Sequence, residues 1–196
     1  MQDFVLKSLE SITSSFQENE LAYLASTTKI ELPLRDRWAY FLHKKLHKNF
    51  QISREWKRTD LAILDSGKPV LLVELKAMYS FDAALKPNDI GGFTDAMLSD
   101  ENKARKLALP NTDIYTVLLA THPNGKYPKE LDGIVKYVSG INKAVKELGS
   151  SNNVKTEAIA AVNNKLKSRN IVLSGTLPGG FAFGTSIDIL FWVVKA

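Results

Sequence analysis

A mixed α/β fold, with a central sheet flanked by helices, follows from three observations. Helix-period segments alternate with strand-length apolar segments, the strands at the centre are apolar on both sides, and the longest apolar runs are far short of a membrane span. The chain reads as a single domain over residues 1–196, in the order helix, helix, three strands, helix, strand, helices, strands. Residues 3–25 place Val5, Leu9, Ile12 and Phe16 at alternating spacings of four and three, which predicts an amphipathic helix within an N-terminal addition at about 1–28. A second helix starts near Pro33, a residue tolerated only in a first turn, and runs to about Lys48. Leu34, Trp38, Phe41, Leu42 and Leu46 line its inner side. Residues 50–56 predict the first strand, 59–64 the second and 70–76 the third. Asp65-Ser66-Gly67-Lys68-Pro69 is the turn between the last two. A loop over 78–92 leads into a helix ending near Leu107, and residues 112–121 predict a buried strand. Helices over 129–148 and 154–168 follow, separated by Gly149-Ser150-Ser151-Asn152-Asn153. The chain closes with strands over 171–177 and 185–194, and the glycine-rich stretch 175–184 reads as a mobile hairpin turn.

Composition narrows the function classes. Hydrophobic residues at 44% and charged residues at 24% exclude a disordered chain. An excess of 26 Lys and Arg over 21 Asp and Glu, a net charge of +5, suits a polyanionic partner. Without cysteine there can be no disulfide and no zinc–thiolate site. Met1-Gln2-Asp3-Phe4 lacks the basic-then-apolar layout of a signal peptide, so the expectation is a cytoplasmic protein away from membranes. The pair His43 and His47 has i, i+4 spacing but no neighbouring Glu for a zinc helix. His122 has no G-x-S-x-G partner, and the glycine-rich stretch has no Gly-Lys-Ser/Thr ending.

The chemistry gathers on the central hairpin. If it is symmetric about Gly67, Leu64 faces Val70 and Asp60 faces Glu74. Opposed residues of an antiparallel pair lie roughly 4.5–5.5 Å apart and share a face. The period of two puts Lys76 on that face as well. Two carboxylates in an otherwise apolar hairpin repel, and Lys76 is one positive charge against two negative ones. A divalent cation completes the set.

Asp60 at the start of one strand and Glu74-Leu75-Lys76 at the end of the next resemble the PD-(D/E)XK superfamily, the restriction-endonuclease-like phosphodiesterases. The Pro usual before the Asp is Thr59 here, a departure at strand entry. The resemblance covers roughly residues 31–76 and the order of elements beyond. It implies a restriction-endonuclease-like mixed central sheet flanked by helices. It also implies an Mg²⁺-dependent DNA endonuclease, of type II restriction type, with Mn²⁺ as a substitute. Asp60, Glu74 and the carbonyl of Leu75 would hold the metal, and Lys76 would hold or deprotonate the attacking water. A pKa lowered by crowding would help either of these roles for Lys76. An acid from the first core helix often joins them. Glu31 is the candidate, with Asp36 and then Glu55 as fallbacks. Arg54, Lys57 and Arg58, which run up to Asp60, are candidate nucleic-acid contacts. A homodimer on a palindromic site is the simplest double-strand cutter, using residues 3–25 or the terminal hairpin as its interface. A junction-resolving or repair nuclease and a non-catalytic nucleic-acid-binding or assembly module on the same fold are the alternatives.

Overall fold

The computed structural model describes residues 1–87 and 90–196; Asn88 and Asp89, within the expected 78–92 loop, lie outside the described residues. Helices α1 (Gln2–Glu10), α2 (Glu20–Thr27) and α3 (Glu31–Lys45) lead into strands β1 (Phe50–Trp56), β2 (Thr59–Asp65) and β3 (Lys68–Tyr79). Helices α4 (Ser80–Leu85) and α5 (Gly91–Leu107), strand β4 (Asp113–Pro123) and helices α6 (Val138–Leu148) and α7 (Ser151–Lys165) follow. The chain ends in β5 (Asn170–Ala182) and β6 (Thr185–Lys195).

The strands form one six-stranded mixed sheet in the order β1-β2-β3-β4-β6-β5. β1, β2 and β3 are an antiparallel meander, β3 and β4 run parallel, and β6 is antiparallel to both β4 and β5. Helices cover both faces. Leu71, Val73 and Leu75 of β3 meet Val5, Leu9, Leu21, Leu34 and Trp38 from the first three helices. On the other face Met78, Leu118 and Trp192 meet Met97 of α5 and Ala158 and Val162 of α7. The apolar character of both strand faces is thus explained by a sheet buried on both sides. Among the described residues no helix is long and apolar enough to cross a membrane.

Several elements differ from the sequence expectation, each for a local reason. The helix expected over 3–25 is two helices. Between them the hydroxyls of Ser11, Ser14 and Ser15 donate back to carbonyls three residues earlier, and Asn19 takes a left-handed φ of 62°. Val5, Leu9, Ile12 and Leu21 of this N-terminal segment pack into the main core. The second helix ends at Lys45, so His47 lies beyond it and the histidine pair never shares a helical face. Within 78–92, β3 continues to Tyr79 and Ser80 opens α4, where Tyr79 N–H donates to Asp82 at 2.9 Å. Over 129–148 only a 3-10 turn, Lys129–Leu131, precedes α6, because Gly133 and Tyr137 both adopt positive φ.

The glycine-rich stretch is mostly strand, not a mobile turn. Gly175 lies beneath the Phe191 ring, where a Cβ would come within 2.9 Å, and only Phe183 and Gly184 form the turn. In the central hairpin Leu61 pairs with Val73 and Ile63 with Leu71, the expected register. Nearer the turn a bulge makes Leu64 pair with Pro69, not Val70, and Val70 packs with the cluster on the α3 side.

Trp38 is fully buried and its Nε1–H donates to Ser8 Oγ at 2.7 Å, tying α3 to α1. Trp38→Ala should cost about 3–5 kcal/mol, the range for emptying a large core aromatic site. Trp38→Phe should cost clearly less. Urea unfolding measures both, and equal losses would show that the hydrogen bond, not the packing, carries the site.

Candidate active site

The hairpin register decides which groups meet. β2 pairs with β3 only as far as Leu61–Val73, whereas β3 continues beside β4 to Tyr79. The far end of β3 therefore presents an open edge on its β2 side. Backbone N–H groups on such an edge need acceptors. Asp60 accepts from Leu75 N–H at 2.8 Å, and Glu31, at the N-terminus of α3, accepts from Ala77 N–H at 3.2 Å. A residue's N–H and C=O face the same neighbour in an antiparallel pair. The Leu75 carbonyl thus lies on this edge, between the two carboxylates.

Glu74 and Lys76 stand on the face that packs under α5. Glu74 is 6% exposed and its carboxyl lies close enough to Asp60 for the two to repel. Burial, then repulsion from Asp60 and Asp100, pushes the Glu74 pKa up to about 8, which favours its protonated form at neutral pH. Glu31 is also raised, by burial first and by Asp60, while Lys76, the Ala77 N–H and Lys29 oppose the shift. Lys76 departs from expectation. Burial works against its charged form, yet a hydrogen bond to Asp100 and the charges of Asp100, Glu31 and Asp60 outweigh it, so its pKa is raised rather than lowered. Lys76 is thus an ammonium ion, suited to holding an anion or a water rather than to taking a proton.

Two residues in this network escaped the sequence reading. Arg35, one helical turn after Glu31, is 7% exposed and contacts Asp36, Glu55 and, at 3.8 Å, Asp60. Asp100 on α5 bonds Lys76 Nζ at 2.6 Å. Arg35 was hidden among helix-surface charges, although its spacing of four from Glu31 was a usable signal. Asp100 gives no sequence signal, since its partner is remote along the chain.

The fallback acids are engaged elsewhere. Asp36 pairs with Arg35 and, at 3.0 Å, with Arg54, and Glu55 pairs with Arg35. Of the expected cationic contacts, Arg54 is therefore neutralised by Asp36. Lys57 lies over the Trp56 ring at 4.7 Å, and Arg58 has no ion-pair partner among the described residues. Lys57 and Arg58 form the two-residue β1–β2 turn, both at positive φ, 49° and 72°. Left-handed backbone costs a residue with a Cβ roughly 1–2 kcal/mol. This turn stands at the end of the sheet where Glu31 and Asp60 meet the open edge of β3.

The donors on this edge are all oxygen: Asp60, Glu74, Glu31 and the Leu75 carbonyl. That set fits a hard divalent cation such as Mg²⁺. Among the described residues no three His, Asp or Glu side chains are gathered as a metal cluster. No family model, no curated protein and no solved structure matches the chain.

Glu74 predicts a pH dependence. Its folded pKa lies above the ordinary 4.5, so folding retains a proton that the unfolded chain loses. The contribution is complete below about pH 4.5 and disappears as the pH rises toward about 8. In chelator, the melting temperature of the wild type should fall more steeply across that window than that of Glu74→Gln, whose amide cannot ionise. Scanning calorimetry at several pH values decides it, and parallel curves would sink the assignment.

Proposed function

We propose that this chain is an Mg²⁺-dependent DNA endonuclease of the PD-(D/E)XK, restriction-endonuclease-like class, hydrolysing phosphodiester bonds in the manner of a type II restriction enzyme. The observation that carries the reading is the convergence of Glu31, Asp60, Glu74 and Lys76 on the open edge of β3. A mixed sheet with helices on both faces supports the fold side of the reading.

Bound Mg²⁺ would polarise the phosphoryl oxygens and lower the pKa of a water. Asp60, Glu74 and the Leu75 carbonyl would hold it, with Glu31 facing it from α3. The chain's own groups do the rest. Asp60 and Glu31 are oriented by strand N–H groups, which fixes both carboxylates without using their remaining lone pairs. Lys76, kept as an ammonium, would orient the attacking water and stabilise negative charge developing on the phosphate. Lys57 and Arg58 would meet the phosphate backbone. Double-strand cleavage would come from a homodimer that sets two such sites on opposite strands.

Asp60→Asn, Glu74→Gln and Lys76→Ala should each abolish Mg²⁺-dependent cleavage of supercoiled and linear duplex DNA. Lys76→Ala alone should keep the wild-type affinity for Mn²⁺, measured by calorimetry. Wild-type cleavage rates in any of the three at saturating Mg²⁺ would refute the role assigned to that residue. A reversed charge at Arg58 should weaken duplex binding and reduce the slope of log affinity against log salt by about one.

A further inference from the structure

We propose that Asp100 is a positioning residue for Lys76, holding its ammonium off the carboxylates that receive the cation; this rests on the nuclease reading above. Asp100 is 8% exposed on the buried side of α5 and bonds two ammonium groups, Lys76 Nζ and Lys103 Nζ, each at 2.6 Å. Burial alone would disfavour the charged carboxylate, but the two lysine hydrogen bonds more than offset it and lower its pKa.

The need for such an anchor follows from the crowding around Lys76. Its flexible four-carbon stem rises from β3 within the field of Glu31 and Asp60. Left alone, an ammonium ion would settle on the nearest carboxylates and neutralise the oxygens a divalent cation requires. Asp100 approaches from the helix layer instead. It draws Nζ toward α5 and leaves the acids on the strand edge for the metal. Lys103, 66% exposed in its side chain, supplies the second positive charge from the same helix. Asp100 is therefore not left as an uncompensated buried anion when Lys76 turns toward a water or a phosphate.

Asp100→Asn keeps the shape and removes the charge. With duplex DNA and Mg²⁺ it should lower kcat about 10–100-fold, the usual loss when an outer partner of a site is removed, while KM for DNA changes little. Asp100→Glu should restore part of kcat, which a purely space-filling role would not predict. Lys103→Ala should lower kcat by less than Asp100→Asn does, since Lys76 keeps its own bond to Asp100. A second readout needs no activity: acylation of individual lysines followed by peptide mass mapping. Lys76 in the wild type should react more slowly than exposed Lys68, and Asp100→Asn should speed Lys76, with Lys103, the other lysine bonded to Asp100, the one further lysine free to change. If the wild type cleaves no nucleic acid, the nuclease reading falls while the labelling still shows whether Asp100 holds Lys76. Equal labelling of Lys76 in wild type and Asp100→Asn would overturn the proposal, as would a KM rise with unchanged kcat. Should Asp100→Asn fail to fold, the wild type still decides, because a Lys76 that labels as fast as Lys68 is not anchored.

Discussion

Everything at the candidate site depends on one unmet demand, the backbone N–H groups that β3 exposes where β2 has already turned away. Strand β3 is long because β4 supports it to Tyr79, while its partner on the other side starts only at Thr59. Water could satisfy such an edge, but in this fold side-chain carboxylates do so, one from the neighbouring strand and one from the helix layer. Backbone geometry therefore sets the spacing of Asp60 and Glu31. Packing then holds that geometry: Leu75 and Ala77, whose N–H groups are bonded, point into the core beneath α3.

Around this edge the charges are balanced in pairs rather than as a whole. Arg35 serves the outer acids Asp36 and Glu55 and touches Asp60, while Asp100 binds Lys76 from the opposite layer. Of the two bridges only Arg35 reaches an inner acid, Asp60 at 3.8 Å, whereas Asp100 binds Lys76. What remains uncompensated is the repulsion between Asp60 and Glu74, which raises the Glu74 pKa.

The acid face was readable in the sequence because strand pairing is a local, periodic rule. Turn residues around Gly67 and apolar runs on both sides fix a register in which Asp60 and Glu74 face each other, and the observed pairs from Leu61 to Ile63 follow it. The bulge that displaces Val70 was not readable, since it depends on how Pro69 meets Leu64. The break in the first helix was visible only as a run of Ser and Thr, residues whose hydroxyls compete with helical bonding but do not always prevail. Gly175 misled for a tertiary reason: it makes room for Phe191 on the adjacent strand, a contact that composition cannot distinguish from a flexible turn. Asp100 lay beyond reach for the same reason, as only the crossover from β3 to β4 brings α5 over Lys76.

The turn made by Lys57 and Arg58 has a bearing on heat tolerance. Both positions ask for Asn and Gly, the residues that fill such turns at least cost, and a consensus-minded redesign would install them and gain stability. The same exchange would strip two cations from the rim of the open edge. Under the nuclease proposal, robustness and grip on a phosphate backbone are thus set against each other at two adjacent residues.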